Sequence, residues 1–190
     1  MASQPRTPLT AEEYLALERK AETKSEFYNG EVFAMAGASR DHILIAVNIS
    51  SSLNGQLKER PCRVFSSDLR VKVAPSGLYT YPDVVVVCGD VQVEDSHGDT
   101  VLNPTVIVEV LSPSTEGYDR GKKFGFYRKL DSLKEYLLVS QDKCLVEHYV
   151  RQPDDTWLLS ESDRLEDALK LPSIDCTLVV SDVYHKVTFS

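Results

Sequence analysis

Apolar and polar positions along this chain fall into blocks whose period changes between 3.6 and 2, and those changes predict the order of its elements. Thr10 and Glu13 have the spacing of a capping box, with Leu9 and Tyr14 placed as a hydrophobic staple. A first helix is therefore expected, running to about Ala21. SEFYNGEVFAM reads as two short strands joined at Asn29-Gly30, a dipeptide suited to the two positive φ angles of a type I′ turn. After a break at Gly37-Ala38-Ser39, a second helix is expected over about residues 41–59. Ile43, Val47, Ser50, Leu53 or Asn54, and Leu57 would trace its inner face.

The middle of the chain is strand-rich. Residues 63–65 and 69–73 are expected strands, the second alternating Leu69, Val71 and Val73 with Arg70 and Lys72. Asp83 leads into an apolar, β-branched run to Cys88, and residues 105–111 form another. Runs of that kind suit strands covered on both faces of a mixed sheet. A helix is expected over about 118–130, then strands near 135–140, 143–151 and 156–159, with the tail LVVSDVY a short strand or turn. No internal repeat, linker or low-complexity tract interrupts the pattern, so residues 1–190 are expected to form one α/β domain.

Composition narrows the class. With 42% hydrophobic and 26% charged residues the chain is an ordinary folded protein rather than a disordered tail. No apolar run approaches the roughly 20 residues needed to span a bilayer, and the first residues have no apolar signal core, so a cytoplasmic location is expected. Cys62, Cys88, Cys144 and Cys176 lack C-x-x-C spacing, which argues against a zinc knuckle; they read as reduced, small apolar core residues. A net charge of −8 opposes non-specific attraction to nucleic acid. The charge is uneven, however. Arg120, Lys122, Lys123, Arg128, Lys129 and Lys134 are opposed locally only by Asp131, which fits either a local basic patch or a solvated helix face.

Two carboxylates stand where apolar residues are expected. Asp83 follows Tyr81-Pro82 at the head of a buried strand. Glu109 shares a strand face with Ile107 and Leu111 by period-two alternation. A charge so placed must pair with a base or bind a hard cation, and Mg²⁺ and Mn²⁺ prefer oxygen donors. Taken singly, Asp83 could cap a loop and Glu109 could sit in a buried ion pair. The pair together points to function. In the following helix Asp119, Lys123 and Tyr127 recur every fourth residue and so line one side. Lys123 could orient or help deprotonate a metal-bound water and stabilise charge on a phosphate. A surface Asp119–Lys123 pair over a packed Tyr127 has the same spacing. The four histidines show no ligand-like spacing.

The order SEFYNGEVFAMAGAS, SSDLRVKV, YPDVVVVC, VIVEVLSPST, YDRGKKFGFYRKL, KEYLLVS resembles the Uma-type family of bacterial endonucleases, within the PD-(D/E)XK superfamily, from about Leu9 to Tyr149. The resemblance implies a restriction-endonuclease-like core: a mixed central β-sheet flanked by helices, with an N-terminal helix and β-hairpin. It implies that Asp83 and Glu109 bind Mg²⁺ or Mn²⁺, with the Val110 carbonyl a further ligand and Glu31 an acidic residue near the metal. His42 and Asp68 fall in similar blocks without an assigned role. The superfamily lysine belongs two residues after the Glu, where this chain has Leu111; the resemblance to the Uma-type family implies that the next helix supplies it, which nominates Lys123, with Lys122 the fallback. The expected activity is Mg²⁺-dependent hydrolysis of DNA, with Arg120, Lys122, Arg128 and Lys129 on the phosphate backbone, in a homodimer by superfamily habit. The alternatives are a catalytically inert nuclease-fold module that binds nucleic acid and a structural or regulatory protein. Fold alone does not choose among them.

Overall fold

The structure is a computed structural model that describes residues 8–189. The chain opens with helix α1 (Ala11–Glu18), a hairpin of β1 (Ser25–Tyr28) and β2 (Glu31–Ala34), and the long helix α2 (Arg40–Gln56). Six strands follow: β3 (Cys62–Ser66), β4 (Arg70–Val73), β5 (Leu78–Thr80), β6 (Val84–Cys88), β7 (Thr100–Val101) and β8 (Val106–Leu111). A helical stretch comes next in three pieces: α3 (Glu116–Tyr118), a π-helical turn over Asp119–Lys123, and α4 (Phe124–Tyr127). The chain closes with β9 (Glu135–Ser140), β10 (Val146–Arg151), β11 (Trp157–Ser162), β12 (Ala168–Leu171), β13 (Cys176–Val179) and α5 (Val180–Val183).

The architecture is mixed α/β, as the apolar patterning predicts. A six-stranded sheet has the order β11-β10-β9-β8-β6-β3 and a five-stranded sheet the order β2-β1-β5-β4-β7. Within the larger sheet β8 and β9 run parallel and the other pairs antiparallel. The 116–127 helical stretch is the crossover that this parallel pair requires. Period-two alternation divides the central strands between two cores. Val84, Val86, Val106, Val108 and Val110 pack with Ile45, Ile49 and Leu53 of α2 and with the C-terminal elements. Val85, Val87, Ile107 and Leu111 pack with Phe124, Tyr127 and the five-stranded sheet. That is why β6 and β8 read as unbroken apolar runs. Glu109 belongs by position to the second core.

The start of the chain folds as its signals say. Thr10 and Glu13 exchange both capping-box bonds. Asn29 and Gly30 have φ of 52° and 84°, which closes the hairpin. A Cβ on Gly30 would lie 2.4 Å from the Pro8 Cβ, on a backbone that side chains avoid. Gly30→Ala should therefore cost about 1–2 kcal/mol, read as a lower urea midpoint at unchanged slope.

Two expectations are corrected. The inner face of α2 is Ile45, Ile49, Leu53 and, at its C-cap, Leu57, whereas Ile43 and Val47 are exposed. Two apolar stripes at i, i+4 spacing run along this helix, and only the one that continues through Leu53 to Leu57 meets the sheet. Cys62 and Cys88 are joined in a disulfide rather than reduced, leaving Cys144 and Cys176 free. They lie 26 residues apart, so no local spacing marks them, but β3 and β6 set them directly opposite. Short β5, β7 and β12 carried too little pattern to be anticipated.

Arg19 anchors α1 to the 95–99 loop, 2.8 Å from both Asp95 and Asp99. The Arg19 guanidinium holds the Asp99 carboxyl down at about 2, with desolvation opposing it. A depressed carboxyl adds stability that is present above its ordinary value near 3.8 and lost as pH falls through about 2. Arg19→Ala should accordingly lower the urea midpoint at neutral pH, with the deficit vanishing toward pH 2.

Candidate active site

β6 and β8 are antiparallel, with Val84 opposite Val108 as the last pair of the ladder, so Asp83 at the head of β6 comes to the end of β8 where Glu109 and Val110 lie. Asp83 lies just outside β6, and its side chain replaces a ladder partner: Oδ2 accepts the Val110 amide at 2.7 Å. Its Oδ1 lies 2.8 Å from Nε2 of His42, in the first turn of α2. Asp83 and His42 face a cavity of about 240 Å³, walled by Ile43, Ala46 and Val47 on α2 and by Ser66 and Ser67 at the end of β3.

Behind Asp83 lies a buried acidic cluster around one lysine. Lys123 Nζ is 2.9 Å from Glu109 Oε1, 3.0 Å from Glu26 Oε1 and 3.4 Å from Asp119 Oδ1. The Tyr127 hydroxyl donates to Glu109 Oε1 at 2.8 Å, and Thr80 donates to Glu26. The helix thus delivers Asp119, Lys123 and Tyr127 from one side, as their spacing implies. The π-helical turn spans the first two of these, and such turns recur at functional sites.

Burial pushes the Glu109 carboxyl up to about 8; Lys123 opposes the rise, while Asp119 and Asp83 add to it. Burial alone would lower Lys123, but Glu109, Glu26 and Asp119 together outweigh it and hold the ammonium well above its ordinary value. Burial, with Lys123 opposing, also raises Asp119. The Tyr127 hydroxyl is pushed far up by burial and by Glu109, so it remains a donor. Four carboxylates here face one ammonium and one imidazole. That excess, all on hard oxygen, suits a cation of the Mg²⁺ type. Among the described residues no three His, Cys, Asp or Glu side chains are placed to share one ion. An ion here would have to be held by two carboxylates with backbone and water oxygens, which is how Mg²⁺ is commonly held.

The remaining candidates are dispersed. Glu31 is exposed at the start of β2, an outer strand, and among the described residues it makes no hydrogen bond or ion pair with the cluster. The hairpin's contribution is Glu26, which nothing in the sequence pattern singles out. Alternation puts Glu26 opposite Phe27, the face usually left to water, and only the layer beneath the hairpin makes it inward. Lys122 is exposed with its ammonium over the Tyr28 ring at 4.9 Å, so it stands apart from the cluster. Arg128 and Lys129 are exposed, over Phe124 and Phe126 respectively. Arg120 is held by Glu147 and, at 3.8 Å, by Glu116. His42, given no role from sequence, touches Asp83.

Residues 11–181 match the model of the Uma2 family, described as "Putative restriction endonuclease". The chain belongs to the Uma2 family. Among its relatives, the uncharacterized protein sll1609 of Synechocystis sp. (strain ATCC 27184 / PCC 6803 / Kazusa) is 44% identical over 153 residues, spanning 80% of this Uma2 chain and 86% of the relative. The uncharacterized protein slr1290 of the same organism is 37% identical over 190 residues, spanning 98% and 97%. A crystal structure of a putative nuclease belonging to DUF820 from Anabaena variabilis ATCC 29413 superposes with a TM-score of 0.77 at 23% identity, covering 95% of this chain and all of that one. The Uma2 chain therefore has the restriction-endonuclease-like fold, and its family membership supports a nuclease. Among the described residues no helix is long and apolar enough to cross a membrane.

Proposed function

We propose that this protein is a Mg²⁺- or Mn²⁺-dependent endonuclease that hydrolyses DNA phosphodiester bonds at Asp83, Glu109 and Lys123. The observation that carries the reading is a chain of contacts: Asp83 opens onto a cavity, the amide of Val110, next to Glu109, donates to Asp83, and Lys123 touches Glu109. Asp83 and Glu109 would hold the ion. Val110 turns its amide toward Asp83, and a strand residue sends both backbone polar groups to the same neighbour, so its carbonyl faces the same side. The chemistry such an ion supplies is polarisation of a phosphoryl oxygen and activation of water. Glu109 is oriented by the Tyr127 hydroxyl. Lys123, ringed by three carboxylates, keeps its proton and acts by charge on the phosphate rather than as a base.

Lys122, Arg128 and Lys129 are the exposed cations of the helix and fit contacts to the DNA backbone. Removing one phosphate-binding cation should lower the salt dependence of binding by roughly 0.9 in the slope of log K against log salt, measurable for Lys129→Ala on a duplex. The activity itself is tested by nicking of supercoiled plasmid: cleavage in Mg²⁺, none in EDTA, and restoration on adding Mn²⁺. No cleavage under any of these conditions would refute the reading.

A second reading, an inert nucleic-acid-binding module, draws on one observation: Lys123 and Glu109 are sealed together almost without solvent exposure. A Mn²⁺ titration separates the two, because a working site raises the melting temperature as the ion binds.

A further inference from the structure

We infer that His42 is a positioning residue that fixes the Asp83 carboxylate for its ion, an inference that rests on the metal-site reading above. Asp83 lies outside β6 and follows Pro82, so the regular ladder does not hold it. Its orientation comes from two donors on different elements. The Val110 amide takes Oδ2 at 2.7 Å, and His42 Nε2 sits 2.8 Å from Oδ1. With one donor on each oxygen the carboxylate plane is set, and each oxygen keeps a lone pair for an ion. A single donor would leave the group free to turn about its Cβ–Cγ bond.

The imidazole is itself well anchored. His42 is in the first turn of the 17-residue helix α2, where its amide donates to the Ser39 hydroxyl at 3.1 Å. The same helix buries Ile45, Ile49 and Leu53 against the sheet, so His42 is referenced to the strands that carry Asp83 and Glu109. Outer partners of this kind orient a ligand, and their loss typically costs 10–100-fold in metal affinity or activity. The bond also ties the cavity wall to its acidic end, since His42, Ile43 and Val47 lie on one helix beside Asp83.

The test is calorimetric titration of Mn²⁺ into the metal-free protein, alongside plasmid nicking at saturating Mn²⁺. His42→Leu should weaken the Mn²⁺ Kd about 10–100-fold and lower kcat, while His42→Gln, whose amide can still donate to Oδ1, should recover most of both. A merely structural histidine would change the melting temperature in both variants and leave the Kd alone. A His42→Leu Kd within about twofold of wild type overturns the inference while leaving the metal site standing. Wild-type protein that binds no Mn²⁺ overturns both.

Discussion

Lys123→Met is expected to lower the free energy of unfolding by about 3–5 kcal/mol, the usual cost of removing one partner from a buried ion cluster. The ammonium is the shared counter-ion of Glu26, Glu109 and Asp119, all buried and all within 3.4 Å of it. Methionine fills similar volume but leaves three carboxyls with no cation. They must then take up protons or admit water. Chemical denaturation measures the loss, and adding Mn²⁺ should restore part of it if a cation can stand in for the ammonium. A variant as stable as wild type would mean that the cluster is held by its tyrosine and threonine donors instead.

Glu109→Gln should do the opposite to stability while abolishing activity. Glutamine keeps the shape, can still accept from Tyr127, and leaves Lys123 with two carboxylates. It removes a carboxyl whose ionised form is disfavoured chiefly by burial. The sign follows from linkage. A carboxyl raised from an ordinary value of 4.5 to about 8 makes its full contribution below 4.5 and loses it as pH rises through 8. In EDTA the variant should therefore gain on wild type between about pH 5 and pH 8. Cleavage should fall on the order of 10³-fold, since a ligand to the ion is worth several kcal/mol in the transition state. The combination separates a functional carboxylate from a structural one: a structural Glu109 would leave cleavage untouched when replaced.

Much of this site was legible because its signals are local. Asp83 and Glu109 stood out as charges inside apolar runs, and those runs are apolar because both faces of β6 and β8 are covered. Asp119, Lys123 and Tyr127 shared a face by spacing, and they do share one, even though the first two lie in a π-helical turn. What stayed hidden depends on what a second element covers. Glu26 looks like the solvent side of a hairpin strand until the helix lies beneath it, whereas Glu31, which the family resemblance places near the metal, is exposed on the outer strand. His42 is one of several polar residues at a helix start until α2 docks against the end of β6. Cys62 and Cys88 become partners only through the β3–β6 register. The choice between the Ile43–Val47 and Ile45–Ile49 stripes was likewise made by the sheet and not by the helix.

Everything proposed for this site requires Asp83 and Glu109 to share a divalent cation. The most direct measurement is anomalous diffraction from crystals of the protein soaked in Mn²⁺. The expected result is a manganese peak bonded to both carboxylates, with the Val110 carbonyl also directed at it. A peak elsewhere, or none with Mn²⁺ in excess, would contradict it.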